Sequence, residues 1–234
     1  MEEITLLPDD ATTHRQRTGR PFVTLSYAQS LDGCIAVEPG RPFALSGPES
    51  LQLTHQLRAA HEAILVGIGT VLADDPQLGV RLVAGPDPQP VIVDSHLRFP
   101  LPARLLQKIP TPWIATIQPD SPRRVQLTAQ GAKVLGVPAS PKGRVSLKAL
   151  LNQLGARGIN TLMVEGGAGI ITSFLAERLV DRLILTIAPV YIGGYRATDA
   201  LPQPFPYLRH THYVQLGHDL IVTGDLTWED ACSD

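Results

Sequence analysis

Leu162-Met-Val-Glu-Gly-Gly-Ala-Gly169 carries an apolar strand pattern to a lone carboxylate, Glu165, and then into glycines before a helix pattern begins over Ile170 to Leu179. This is the layout of a phosphate-binding turn. Backbone approaches a pyrophosphate closely only where side chains are missing, and the helix that follows aims free N–H groups at the anion. Strand-to-helix turns also use glycine for geometry alone, so Gly166, Gly167, Ala168 and Gly169 need support from elsewhere in the chain.

Upstream, Ala63-Ile-Leu-Val66 reads as a short buried strand that enters a second glycine turn, Gly67-Ile-Gly-Thr70, with Asp74 and Asp75 one turn further on. Phe22 to Tyr27, Val91 to Asp94, Trp113 to Ile117, Ala132 to Leu135, Thr161 to Val164 and Leu183 to Ala188 read as strands. Between them lie helix patterns. Ser46-Gly-Pro-Glu49 has the spacing of a capping box for a helix ending near His61, a short helix is expected near Val125 to Gln130, and Ser146 caps a helix through Leu154. Tyr213 to Leu216 and Leu220 to Thr227 alternate like an antiparallel pair. The expected fold class is therefore α/β, a mostly parallel twisted sheet with helices on both faces and an antiparallel C-terminal edge. Residues 1–19 read as an irregular arm, 20–228 as one domain and 229–234 as a tail.

The composition narrows the partners. A formal charge of -2 on 234 residues, with no concentrated Lys/Arg tract, argues against nucleic acid or a membrane surface as the main partner. Cys34 and Cys232 lie in unlike contexts and suggest neither a disulfide nor a metal site, which fits a reducing, cytoplasmic setting. An acidic N-terminus argues against a signal peptide, and no stretch reaches membrane-spanning length. The chain has no Walker A loop, no Gly-x-Ser-x-Gly elbow and no zinc-deaminase cysteine pair. His210-Thr-His212 reads as one face of a strand, so no metal is expected. Asp181 and Asp219 read as turn caps or solvated residues.

Ligands of parallel sheets bind beyond the carboxyl ends of the strands. Four strands end there in polar or glycine-rich residues: Ser30-Leu-Asp-Gly33, Gly67-Ile-Gly-Thr70, Asp94-Ser-His-Leu-Arg98 and Glu165 to Gly169. Two glycine turns favour a ligand with more than one phosphate, although neither spacing is G-x-G-x-x-G. Arg58, Arg81 and Arg98 can receive phosphates through bidentate hydrogen bonds, and on spacing alone each also fits a solvated surface residue.

Arg20 to Gly33, Ile64 to Pro76, Val93 to Arg98, Val164 to Gly167, Leu179 to Asp181 and Ile187 to Pro189 together resemble the pyrimidine reductase domain of riboflavin biosynthesis, from about residue 20 to 225. The string Val66-Gly-Ile-Gly-Thr-Val-Leu-Ala-Asp-Asp-Pro76 is its most specific element. The resemblance implies a dihydrofolate reductase-like fold, without the deaminase domain to which this reductase is often fused. It further implies NADPH-dependent reduction of the ribosyl group of a pyrimidine ribosylamino 5′-phosphate to ribityl. Carried over by position, Gly67, Thr70, Ser95, Arg98, Gly166, Gly167, Ala168 and Gly169 would hold NADPH, with Arg98 at its 2′-phosphate. Ser46, Arg58, Asp74, Leu78, Arg81 and Glu165 would hold the substrate, with the arginines near the 5′-phosphate and catalytic roles for Asp74 and Glu165. A homodimer is expected, with the strand around Leu183 to Ala188 as its apolar surface.

The chain departs from the pattern at Cys34 and also before Ser46, where Ala44-Leu45 supplies no large polar or aromatic residue. The family commonly carries Lys or Arg after Leu-Asp-Gly, where this chain has Cys34. That departure keeps open a second reading, an NADPH-dependent reductase of another small imine, carbonyl or pterin on the same fold. The resemblance admits the pyrimidine both before and after its deamination as the substrate.

Overall fold

The computed structural model describes residues 10–41, 43–108 and 110–229. Its sheet strands are β1 (Phe22–Ser30), β3 (Ala63–Gly67), β4 (Gln89–Val93), β5 (Trp113–Thr116), β6 (Lys133–Gly136), β7 (Thr161–Val164), β8 (Arg182–Ala188), β10 (Tyr207–Leu216) and β11 (Asp219–Thr227). They form one sheet in the order β10-β11-β8-β1-β7-β3-β4-β5-β6. From β8 to β6 every pairing is parallel, and β11 and β10 close the other edge antiparallel. The helices are α1 (Ala11–Thr18), α2 (Pro48–Ala60), α3 (Ile68–Asp74), α4 (Pro122–Ala129), α5 (Leu147–Ala156) and α6 (Ala168–Ala176).

Alternate residues of each central strand feed two cores. Ala63, Leu65, Leu162 and Val164 pack with Leu150, Leu154, Ile171 and Phe174 of α5 and α6. Ile64, Val66 and Met163 pack on the opposite face with Leu53 and Leu57 of α2, Val71 of α3 and Leu127 of α4. Burial on both faces is why Ala63 to Val66 of β3 and Leu162 to Val164 of β7 are unbroken apolar runs.

Several local expectations change. Residues 11–18 of the expected arm form α1, whose cap Asp10 accepts the Thr13 N–H at 2.8 Å. Arg15 ties α1 to Asn160 and to the Gly155 carbonyl. The arm expected over residues 1–9 lies outside the described residues, as does the tail over 230–234. The capping box at Ser46 does not form: Gly47 is the N-cap of α2 and donates its N–H to Asp219 Oδ2 at 2.8 Å. Asp219 is thus a buried tertiary acceptor, and Asp181 grips Arg20 through both carboxylate oxygens. A small second sheet, β2 (Cys34–Ala36) with β9 (Tyr195–Arg196), had no counterpart in the sequence pattern.

His61, the C-cap of α2, is 2 % exposed and lies against the Leu57 carbonyl (Nδ1, 2.7 Å) and Thr24 Oγ1 (Nε2, 2.8 Å). Burial pushes its pKa down to about 4. The unfolded ring takes up a proton near pH 6.5 and the folded ring resists it, so this stability is present above pH 6.5 and is lost as pH falls toward 4. The loss is expected to reach about 3 kcal/mol by linkage. Urea unfolding of wild type and His61→Gln across that window checks it: the variant should show a shallower pH dependence, and an equal slope would remove the assignment.

Candidate active site

The carboxyl ends of β7, β3 and β4 lie side by side, in register through Leu65↔Val164 and Gly67↔Val93. Glu165 extends this alignment by donating its N–H to the Leu65 carbonyl at 3.0 Å. The two glycine turns therefore meet. Gly67 and Gly167 are the N-caps of α3 and α6, and neither has a side chain to cap the helix.

The glycines divide into two kinds. A Cβ on Gly67 would sit 2.8 Å from Ile170 Cγ1, and one on Gly166 would sit 2.5 Å from Ile170 Cγ2. Both are glycine because one isoleucine of α6 fills the space between the turns, which is the purely geometric reason. A Cβ on Gly167 would meet only Thr70 Oγ1, at 3.8 Å, and one on Gly169 would meet nothing within 4 Å. The open backbone suited to a phosphate is thus at Gly167 and Gly169, with Thr70 opposite and Ala168 buried as the first residue of α6.

Next to this cradle, the turn after β4 is organised by Asp94, which is fully buried and accepts the Phe99 N–H at 2.8 Å. Ser95 Oγ accepts the Val145 N–H at 3.1 Å, which leaves its O–H free to donate. Arg98 is exposed.

Arg58 of α2 holds Glu165 bidentately, Nε to Oε1 at 2.9 Å and Nη2 to Oε2 at 2.7 Å, with side chains 11 % and 18 % exposed. Its Nη1 donates to the Gly79 carbonyl at 3.2 Å. Two residues expected at the substrate therefore do come together, but as a mutual pair: the fork of Arg58 is filled by protein rather than left open for a phosphate. Leu78 is buried, whereas Arg81 and Ser46 are exposed and half-buried. Asp74 ends α3, exposed, and partial burial pushes its pKa up. Its neighbour Asp75 is tied to Arg104.

Two residues of this region, Asp87 and His55, escaped the sequence reading, and a third, Asp32, was marked only within the polar strand end Ser30 to Gly33. Asp87 accepts the Val80 N–H at 2.6 Å, and buried His55 accepts the Arg81 N–H at 3.0 Å. Asp32 accepts the Ser30 hydroxyl and the Ile192 and Gly193 N–H groups; these, the Ser30 bond first, hold its carboxyl well below the usual carboxylate range. Of the two that escaped, only His55 gave a signal, its i, i+3 spacing from Arg58 on α2. Cys34 is buried with its thiol 3.5 Å from Asp32 Oδ2. His210 pairs with Asp225 across the strand pair at 3.1 Å, and among the described residues no group of three or more His, Cys, Asp or Glu is placed to hold a metal.

Known proteins resemble this chain in sequence and in fold. Residues 21–222 match the profile of the RibD C-terminal domain. The 2,5-diamino-6-ribosylamino-4(3H)-pyrimidinone 5′-phosphate reductase of Archaeoglobus fulgidus is 39% identical over 185 residues, 75% of this chain and 83% of that protein. Acinetobacter baumannii RibD superposes with a TM-score of 0.83 at 29% identity, covering 94% of this chain and 62% of that one. For the Saccharomyces cerevisiae riboflavin biosynthesis reductase Rib7 the TM-score is 0.73 at 27% identity, over 94% of this chain and all of that one. Dihydrofolate reductase from Enterococcus faecalis, at 15% identity over 89% of this chain and 97% of that one, shares the fold alone with a TM-score of 0.51. Matched in sequence and in fold along most of its length, the chain belongs to the RibD C-terminal domain family.

Proposed function

We propose that this protein is an NADPH-dependent reductase of riboflavin biosynthesis, converting the ribosyl group of a pyrimidine ribosylamino 5′-phosphate to ribityl. The observation that carries the reading is the placement of the Arg58–Glu165 pair directly beside the open backbone at Gly167 and Gly169. A phosphorylated dinucleotide fits that cradle, with Thr70 and the Ser95 hydroxyl as donors and exposed Arg98 for a 2′-phosphate.

When bound, NADPH supplies a hydride to C1′ of the ring-opened ribosyl imine. The protein's residues align and polarise. Glu165, held in one orientation by Arg58, accepts hydrogen bonds from the substrate's hydroxyl or amino groups. Arg81 meets the 5′-phosphate from the segment that Arg58 and Asp87 fix, while Ser46 and Leu78 border the pyrimidine. Reduction of the imine adds a proton to its nitrogen, and Asp74, whose carboxyl partial burial pushes above its ordinary pKa, is the proposed relay of that proton.

The test is single-turnover NADPH oxidation with the diamino pyrimidine for which the archaeal relative is named and with its deaminated counterpart, each repeated with NADH. Oxidation with at least one compound is expected, and faster with NADPH. If neither supports oxidation, the pathway assignment fails. The second reading then takes over: buried Cys34, in place of the family's basic residue, favours a different small imine, carbonyl or pterin.

A cytoplasmic site of action belongs to this reading and rests on the biosynthetic names of the relatives; no helix among the described residues is long and apolar enough to cross a membrane. We also propose a homodimer. Strand β8 lies between β1 and β11, so its edges are paired, but its half-exposed Leu185 and Ile187 align across β11 with Val222 and Leu220, and Val222 in turn with Tyr213, which is 65% exposed. This apolar sheet face is the surface for a second copy. Light scattering at micromolar concentration should give about twice 25.3 kDa, and a clean monomer would refute it.

A further inference from the structure

The segment Leu78 to Arg81 is held by side chains from outside it, one backbone group after another. The Gly79 carbonyl accepts from Arg58 Nη1 at 3.2 Å, the Val80 N–H donates to Asp87 Oδ1 at 2.6 Å, and the Arg81 N–H donates to His55 Nδ1 at 3.0 Å. The segment also carries strain. Leu78 sits at φ 53, in the left-handed region, which a leucine adopts only when its surroundings impose it. Asp87 leaves no room beside Gly79, where a Cβ would come within 2.9 Å of its Oδ1.

His55 stands one helical turn before Arg58 on α2 and is 1 % exposed. Because Nδ1 accepts a backbone N–H, the ring proton is on Nε2, and a doubly protonated ring could not make this bond. Burial first, and then the charges of Arg58 and Arg81, push the pKa of His55 down, against Glu165 and Asp87, so the accepting neutral form is favoured. Neither the phosphate cradle nor the reacting sugar is assigned to this imidazole.

We infer that His55 is a positioning residue for substrate recognition: by accepting the Arg81 N–H it fixes the Leu78–Arg81 segment and so aims the Arg81 guanidinium. This role rests on the reading of the site as a pyrimidine phosphate reductase. His55 and Arg58 then grip the two ends of the segment from one helix face, with Arg58 also fixing Glu165.

The test compares His55→Leu, which removes the acceptor at similar volume, with His55→Asn, whose Oδ1 can take the place of Nδ1. In His55→Leu the Arg81 amide should exchange at least about tenfold faster, and the KM for the pyrimidine phosphate should rise roughly tenfold, the scale of leaving a buried amide without its partner. The turnover number and the NADPH Kd should stay within about twofold, since binding shared by ground and transition states is what is lost. His55→Asn should restore both the protection and the KM. Unchanged Arg81 protection in His55→Leu, a fall in turnover with KM unmoved, or His55→Asn behaving like His55→Leu would each overturn the inference. Should His55→Leu fail to fold, the nitrogen chemical shifts of His55 in wild type decide: a proton on Nδ1 refutes it. Wild-type enzyme that reduces neither pyrimidine would sink the functional reading, while amide exchange would still decide whether His55 holds the segment.

Discussion

Arg58→Ala is expected to destabilise the protein by about 3 kcal/mol, the lower part of the range for removing one partner of a buried ion pair. It should also lower kcat/KM on the order of a hundredfold, the scale of a misplaced catalytic group. Both effects come from one geometry. The guanidinium makes two parallel bonds to Glu165 and a third to the Gly79 carbonyl, and both charged side chains are largely removed from water. Without Arg58 the Glu165 carboxylate is left in a poorly hydrated site with no cation, and the chain relieves this by protonating it, swinging it out or admitting water. Each of these moves the carboxylate that the proposed function places beside the cofactor. Lysine is not a substitute, because an ammonium cannot make the planar double contact and reach Gly79 together, so Arg58→Lys should recover only part of either loss. The stability change is read from the urea midpoint at constant m-value. The NADPH Kd, measured separately, should move little, since Arg58 does not touch the glycine turns. An Arg58→Ala protein of wild-type stability would show that the pair is effectively solvated and that Glu165 is fixed by something else.

The Arg58–Glu165 pair also marks where sequence reading stops. Each residue was marked individually, Glu165 by its place at the end of an apolar strand and Arg58 by the resemblance, yet 107 positions separate them and no periodicity links them. What was legible was whatever a local pattern determines. Ala63 to Val66 of β3 and Leu162 to Val164 of β7 are apolar throughout because both faces are covered, and the alternation in the last two strands belongs to an edge with one face half-open. The cap at Ser146 was legible because it is a bond within one turn, to the Ala149 N–H. By the same logic α1 was invisible. It buries no residue, so no amphipathic stripe announces it, and its contacts to Asn160 and Gly155 are tertiary. The pair β2 and β9, three residues and two, is too short to show a period. The Ser46 capping box had the right spacing but lost to Asp219, a competitor from the far end of the chain. The glycines at 67, 166 and 167 look alike in sequence, and only the position of Ile170 distinguishes those that make room for a side chain from the one that faces open space.

That distinction sets the second large effect. Gly167→Val should fold and lose NADPH, with the Kd rising about a hundredfold or more, because a branched side chain would fill the space a pyrophosphate needs against the α6 N-terminus. The backbone accepts the change: Gly167 lies at φ -74, and its nearest neighbour to an added Cβ is Thr70 Oγ1 at 3.8 Å. Valine is a poor N-cap, so a stability cost of up to about 1 kcal/mol is expected and no more. The neighbouring glycine turn supplies the contrast. Gly67→Ala drives a methyl to 2.8 Å from Ile170 Cγ1, an overpacking that should cost about 1 to 3 kcal/mol even though the added group is smaller. Shortening the obstacle should relieve it, so Gly67→Ala combined with Ile170→Ala is expected to be more stable than the sum of the two single changes, as a double-mutant cycle would register. Fluorescence titration of NADPH and urea unfolding, applied to all four proteins, separate the two kinds of glycine. If Gly167→Val unfolds, that residue too is glycine for packing. If it folds and binds NADPH with wild-type affinity, the pyrophosphate does not lie on this turn, and Glu165 and Arg58 no longer stand next to the reacting nicotinamide.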